Sequence, residues 1–468
     1  MRKVLVVLLF FGGILLAGCA GLPKQDAAGG SVPEKGPRET VPEKPEDTYA
    51  RVEETLKQGD SEQALETLEK YRQDNPEDLS ADLMTAALLM SQGRIDESRT
   101  LLEKVLRAEP ENTQALFYMA TLEGWLGNRD RQYAILQGLK EREPENSDVW
   151  STLGDFFVME PDLKTAREMY EKSLELDPSN ITAMAGYGNI LISQGKYREA
   201  EEQFDKFIQA YPSDPFIYSD RSRTRLALED YKGADEDLTK AIELSPEYYW
   251  NYVDRGKLRL NHLYNSATAL EDFNRAIELE PEYFYAYIFR AGILDDRDQI
   301  GRAMEDYKTL IRLKPDYYFA FRSLGILQYI SGEWEEARAN LIEAHKHEDD
   351  PGLLFLAGFT FFREGNPKAG KDYIKGFLDS LPRDSHFYNL GRMMVDPGYE
   401  VFFIRGVEGE KDLFVKTRMK FYLGAAYRAM GGDDLAAGYY REVRTANLLG
   451  MYERRIALKE LETLGDSD

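Results

Sequence analysis

Four histidines, one cysteine and a large surplus of acids are the residues from which this 468-residue chain would have to build chemistry. His345 and His347 stand two apart beside Asp349 and Asp350, the nearest approach to a metal-ligand cluster. On a helix that spacing turns the two rings in different directions, so the pair suits at most a weak surface site. The other two, His262 and His386, are far apart in the chain. An enzymatic function would have to use the irregular segment 384–416, where Asp396, Glu400 and Arg405 gather. Neither a GxxxxGK[ST] phosphate loop nor a GxGxxG nucleotide fingerprint occurs. Each would also need a strand that the pattern lacks. Acidic pairs elsewhere fit solvated helix faces or contacts inside a repeat. The sequence therefore predicts no enzyme, no cofactor and no metal.

The only thiol, Cys19, reads differently. Arg2 and Lys3 precede an apolar run from Val4 to Leu16, which is too short to span a bilayer and has the flanks of a secretory signal. Leu16-Ala17-Gly18-Cys19 resembles a bacterial lipobox. That resemblance implies cleavage before Cys19, with lipid on its sulfur and on the new amine. Residues 1–18 are then a lipoprotein signal peptide. Several acyl chains on one residue hold a protein to a membrane lastingly, where one holds it only marginally. Residues 19–46 carry Pro23, Pro33, Pro37, Pro42 and Pro45 with few large apolar side chains, the composition of a flexible tether. Ala20, rather than Asp, follows the cysteine, which by enterobacterial sorting resembles an outer-membrane signal.

Formal charge is −24, from 59 basic and 83 acidic residues. A protein that neutralises phosphates needs the opposite balance, which argues against nucleic acid as a partner and favours basic ones.

The elements that must position any site follow a fixed ruler. Prolines stand at 76, 110, 144, 178, 212 and 246, each 34 residues apart, and then at 281 and 315. Within the period, Trp150, Leu153, Gly154 and Phe157 precede Ala166, Tyr170, Ser173 and Pro178, and Tyr187, Gly188, Ala200, Phe204 and Pro212 repeat the offsets. Small residues let paired helices approach, apolar residues three or four apart form buried stripes, and proline ends the second helix. Gly93, Gly127, Gly195 and Gly332 fall between the helices, where a left-handed residue closes the first. A 34-residue helix-turn-helix period resembles the tetratricopeptide repeat. The resemblance implies an all-α, right-handed superhelical solenoid. About ten repeats are expected over 47–383, an irregular or degenerate repeat over 384–416 with turns at Pro397 and Gly406, and a final repeat with a capping helix over 417–468.

Comparing the repeats with one another sorts the remaining side chains. Arg221, Arg255 and Arg290 recur at the seventh place of the first helix, while Asp237, Asp272 and Asp306 recur at the twenty-third. In other repeats both sites change together, which predicts an ion pair between the two helices of each unit, partly buried and structural. Tyr248, Tyr283 and Tyr317 are expected between neighbouring units, and Tyr252, Tyr287 and Phe321 in the core. Phe216, Trp250, Tyr285 and Phe319 take a place that in the resembled family faces the concave groove. Arg223, Lys257, Asp295, Asp296, Arg322 and Tyr329 are further groove candidates. Aromatic pockets beside polar groups suit an extended peptide or a partner helix. By architecture the chain resembles repeat-bearing lipoproteins of outer-membrane β-barrel assembly, pilus assembly or cell-wall hydrolase control. The expectation is a lipid-anchored scaffold for protein partners at a bacterial envelope membrane, more readily the periplasmic face of the outer membrane. The alternative is a surface lipoprotein that binds a small ligand or glycan.

Overall fold

The computed structural model describes residues 45–466 apart from Pro161, Pro397, Asn447 and Leu449. Among the described residues there are 25 α-helices, from Pro45–Lys57 to Tyr452–Thr463, and no strand. Signal peptide, Cys19 and nearly all of the tether lie outside the described residues. The chain divides into two compact units, residues 1–229 and 230–468. Within each unit, successive helices pack side by side as antiparallel hairpins, and each hairpin packs on the next.

One repeat shows how the sequence builds the hairpin. Asn146 caps the helix Ser147–Met159 by accepting from Asp148 N. Asp162 caps the helix Leu163–Leu176 in the same way through Thr165 N. Val149, Leu153 and Phe156 of the first helix and Ala166, Tyr170 and Ser173 of the second are buried. A Cβ placed on Gly154 would come within 2.5 Å of the Tyr170 ring, so only glycine admits the tyrosine there. The glycines that recur in phase with the period are left-handed as expected: Gly93, Gly127, Gly195 and Gly332 have φ between +72° and +81°. The left-handed turn persists in repeats that lack glycine, with Glu229, Tyr264 and Asp298 at φ of 62°, 53° and 57°.

The proline that closes a repeat leaves its carbonyl without a helical partner, and in four repeats the sixth residue after it supplies one. Trp150 Nε1 donates to Pro144 O at 2.8 Å, and the hydroxyls of Tyr218, Tyr252 and Tyr287 donate to Pro212, Pro246 and Pro281 O at 3.0 to 3.1 Å. An aromatic ring with a polar tip is selected because its body is buried while its tip satisfies a backbone acceptor.

In the first unit the residue two places after the proline is Asp78, Asn112, Asn146, Asn180 or Asp214, and each caps the following helix. In the second unit that place holds Tyr248, Tyr283 and Tyr317, which make no side-chain cap bond. Each such helix forgoes about 1 kcal/mol of capping. Ring packing takes its place. Tyr283 lies 5.0 Å from Tyr249 and 4.9 Å from Trp250, and Tyr317 lies 5.0 Å from Phe284, all between centroids.

The segment 384–416 is a shortened hairpin, made of the ten-residue helices His386–Val395 and Glu400–Gly409. Gly406 lies inside the second helix, so the turn expected there is absent. Asp396 pairs with Arg392, and Glu400 accepts from the Tyr427 hydroxyl. Asp396 thus closes the end of its own helix, and Glu400 ties the hairpin to the helix Leu413–Ala429.

Candidate functional site

The face of the first helices that should line a groove can be located from the period. In the first unit, Ala87, Thr121, Asp155 and Asn189 each stand eleven residues after a closing proline, and all four line one cavity of about 750 Å³. Met90, Gly124 and Val158, fourteen residues after their prolines, line it too, as does Phe216 at the fourth. Side chains at these spacings share one stripe of an α-helix, so stacked repeats place them in one continuous trough. The apolar wall includes Trp125, Phe156, Met159 and Leu163, of which Met159 is 72% exposed.

The charged groups in this cavity are mostly acidic, and Thr121, Thr152, Thr182, Asn189 and Ser193 line it beside them. Asp155 accepts from the buried Tyr170 hydroxyl at 2.5 Å, and Asp214 caps its helix through Phe216 N at 2.8 Å. Asp220 pairs with Arg223 and accepts from Asn189 Nδ2 at 3.5 Å. Arg129 is turned to the protein itself, donating to Glu160, to Gln132 Oε1 and to the Phe156 carbonyl at 2.6 to 2.9 Å.

In the second unit the same face carries a ligand from its own chain. The helix Tyr452–Thr463 packs against the helices Tyr318–Ser331, Leu413–Ala429 and Asp433–Ala446. Ile456, Ala457 and Leu461 are buried in one cluster with Ile326 and Tyr329. Around this apolar contact runs a ring of ion pairs. Arg455 meets Asp295, Lys459 meets Asp298 at 2.6 Å, and Glu460 accepts from Arg363 at 2.7 Å and from Arg428 at 3.0 Å. Glu453 meets Arg418 at 2.5 Å, and the Tyr452 hydroxyl donates to Asp350 at 2.9 Å. Ile326 holds the eleventh place after Pro315, and Asp295 and Tyr329 the fourteenth after Pro281 and Pro315. These are the places that line the cavity of the first unit. Burial pushes the Asp295 carboxyl above its usual value, with Arg455 pulling the other way. Glu453 is raised for the same reason, against Arg418.

This arrangement corrects part of the expected site. Tyr329 is not open to a partner: it is 3% exposed, edge-on to Trp334 at 5.4 Å and under the last helix. Asp295 is likewise taken by Arg455. The last helix has the polar composition of a cap for the end of the stack, yet it folds back over the groove face of the second unit.

The other candidates are placed as follows. Trp250, Tyr285 and Phe319 are 41, 56 and 42% exposed. They join Tyr249, Tyr283, Phe284, Tyr317 and Tyr318 in an aromatic stripe that ends on His347. Lys257 pairs with Asp254 at 3.5 Å, and Arg322 with Glu348 at 2.7 Å while lying over the Phe319 ring. Asp296 ends the helix Phe284–Asp296.

The ion pairs expected inside a repeat are present in the second unit. Arg255 donates to Asp272 at 2.6 Å and Arg290 to Asp306 at 2.7 Å. Each arginine also reaches back to the preceding repeat, Arg255 to Thr239 Oγ1 and Arg290 to Asn274 Oδ1, both at 3.0 Å. The arginine thus ties neighbouring repeats together as well as its own two helices. Arg221 makes the backward contact to Asp205 at 2.6 Å. Asp237, its expected partner, belongs to the second unit and is buried.

Among the described residues no group of three His, Cys, Asp or Glu side chains is placed to hold a metal, and no helix is long and apolar enough to cross a membrane.

The fold and its grooved faces define an all-helical protein of stacked two-helix repeats. Tetratricopeptide-repeat models match residues 55–120, 89–156, 158–218 and 217–248, so this part of the chain is built of tetratricopeptide repeats. No curated protein matches the chain. Several solved structures are similar to parts of it. A tetratricopeptide repeat protein from Parabacteroides merdae is 21% identical, covering 53% of this chain and 98% of its own, with a TM-score of 0.41. YrrB, described as a TPR protein with an unusual peptide-binding site, is 24% identical, covering 40% of this chain and 95% of its own, with a TM-score of 0.33. PilF of Pseudomonas aeruginosa is 18% identical, covering 44% of this chain and 94% of its own, with a TM-score of 0.38.

Proposed function

We propose that the chain is a lipid-anchored scaffold that holds a protein or peptide partner in the groove of its first unit, at a bacterial envelope membrane. The observation that carries the binding role is the cavity of about 750 Å³, open along one register of successive first helices. Large apolar side chains in its wall beside a few carboxylates give a partner both buried area and orientation. The anchor rests on Leu16-Ala17-Gly18-Cys19, and the composition of residues 19–46 would let the repeats stand away from the lipid. Service in envelope or outer-membrane assembly, with the protein facing the periplasm, is the setting that such an anchor favours.

A photo-crosslinking residue at Phe216, incorporated in cells, tests the binding role. The reading expects one or a few defined polypeptides to be captured there and lost when Ala185, also in the cavity wall, becomes Trp. Capture that is unchanged by the Ala185→Trp substitution would remove it. Cys19→Ser should release the protein from membranes, and retention of that variant would remove the anchor.

The cavity volume also falls within the range of small-molecule sites, about 300 to 1,000 Å³, which favours a carrier for an apolar ligand as the second reading. Native mass spectrometry separates the two: a bound small molecule supports the carrier, and a co-purified polypeptide supports the scaffold.

A further inference from the structure

We infer that the partner presents to the first unit an amphipathic α-helix, with aliphatic residues on one face and Lys or Arg beside them. This deepens the groove reading above and depends on it. The helix Tyr452–Thr463 shows what this groove face accepts, because Ile326, Asp295 and Tyr329, which it covers, hold the same places in the period as Ala87, Thr121, Asp155, Asn189, Met90 and Val158.

Two physical arguments carry the inference from one unit to the other. The first concerns the backbone. An extended peptide brings unpaired N–H and C=O groups, which cost free energy unless the wall supplies partners. Here Phe, Trp, Met, Leu and Ile side chains make up much of the wall, and several of its polar groups are already engaged within the fold. A helix satisfies its own backbone and offers only side chains. The 12-residue helix Tyr452–Thr463, about 18 Å long at 1.5 Å per residue, reaches Asp295, Tyr329, Arg363 and Arg428, residues of four different first helices. A helix of that length would likewise span the four repeats whose eleventh residues line the cavity.

The second argument concerns charge. Three carboxylates, Asp155, Asp214 and Asp220, and one guanidinium, that of Arg129, line the cavity, and with Arg223 paired to Asp220 the groups there are still acidic in sum. In the second unit the carboxylates at the far edge, Asp295 and Asp298, meet Arg455 and Lys459. A cationic flank on the incoming helix gives the first unit the same complement, and opposite charge on a partner fixes its register and speeds encounter.

The test uses the full-length chain and a fluorescein-labelled peptide of about 18 residues, five helical turns, made of Leu and Lys in helical period. One control replaces Lys by Glu, and another keeps the composition but shuffles the order. Fluorescence anisotropy should show the Leu/Lys helix binding at least about tenfold more tightly than either control, with about tenfold loss in both Ala185→Trp and Thr121→Trp. Circular dichroism of the two variants should show unchanged helix content. Equal binding of the shuffled peptide, or of the Leu/Glu helix, overturns the inference. Binding of an extended Pro-rich peptide that both substitutions abolish, without binding of the Leu/Lys helix, overturns the inference and leaves the groove reading standing. Binding of the Leu/Lys helix that neither substitution weakens overturns both.

Discussion

Arg455 lays its guanidinium on the carboxylate and the carbonyl of Asp295, a residue 160 positions earlier in the chain. The pair is about three-quarters buried, with side chains 27 and 20% exposed, and it pins the last helix across the face of the second unit. Arg455→Glu sets two carboxylates against each other where one is already held above its usual value by burial. A loss of about 1 to 3 kcal/mol is expected, below the cost of breaking a fully buried pair. Hydrogen exchange of residues 452–463 should accelerate before that of the helix Tyr318–Ser331, since a locally opening segment exchanges ahead of the rest. Unchanged exchange in 452–463 would show that the apolar contacts of Ile456 and Leu461 hold the helix without the ion pair.

Asp272 serves two arginines, Arg255 at 2.6 Å and Arg259 at 2.9 Å, and its side chain is 3% exposed. Removing the carboxylate leaves both guanidiniums without it, whereas removing Arg255 leaves Asp272 still paired. Asp272→Ala should therefore cost about 3 to 5 kcal/mol and Arg255→Ala clearly less. The double variant should cost less than the sum, because the two residues share one network. Urea unfolding of the four proteins measures this, and additive losses would mean that the residues act independently.

The repeat was legible because its signals are local and recur. The proline spacing, the small residues where helices touch and the glycines between them each report a constraint within a few residues, so the hairpins and the pairs Arg255–Asp272 and Arg290–Asp306 could be read directly. Register also located one wall residue of the cavity. Phe216 lines the cavity, and Trp250, Tyr285 and Phe319 are exposed. The covering of Tyr329 and Asp295 was not legible, because it depends on a contact between residues more than a hundred positions apart. The helix Tyr452–Thr463 is polar enough to read as a solvated cap. Its buried Glu453 and Glu460 reveal the contact only when Arg418, Arg363 and Arg428 are seen around them. The cavity polarity was missed for a similar reason. Asp155, Asp214 and Asp220 look like ordinary surface acids until the stack brings them together.

Tyr264 stands where most repeats place glycine, at φ 53° and 88% exposed. A left-handed residue other than glycine carries a steric penalty of about 1 to 2 kcal/mol. Glycine adds flexibility to the unfolded chain, which offsets up to about 1 kcal/mol of that relief. Tyr264→Gly should accordingly raise stability by up to about 1 kcal/mol, since little packing is lost from so exposed a ring. The midpoint of thermal unfolding checks the sign. A clear decrease would show that the Tyr264 ring makes a contact that offsets its backbone.

His386 and Glu410 close the shortened hairpin, with Nε2 and Oε2 2.8 Å apart. Glu410 also accepts from the backbone N–H groups of Lys411 and Asp412 at 2.7 and 2.8 Å, which fixes the turn into the helix Leu413–Ala429. The His386 bond first, and then these two amides, pull the Glu410 carboxyl down to about 2 from its usual 4.5. The fold thus favours the ionised form. Its contribution to stability is complete above pH 4.5 and disappears as the pH falls through the folded value near 2, because the unfolded chain takes up the proton first. Glu410→Gln should lower the thermal midpoint at pH 6 and bring variant and wild type together by about pH 2. Scans of both proteins across that range supply the measurement. A gap of constant size would mean that Glu410 acts through its shape and amide contacts, with its charge contributing nothing to the turn.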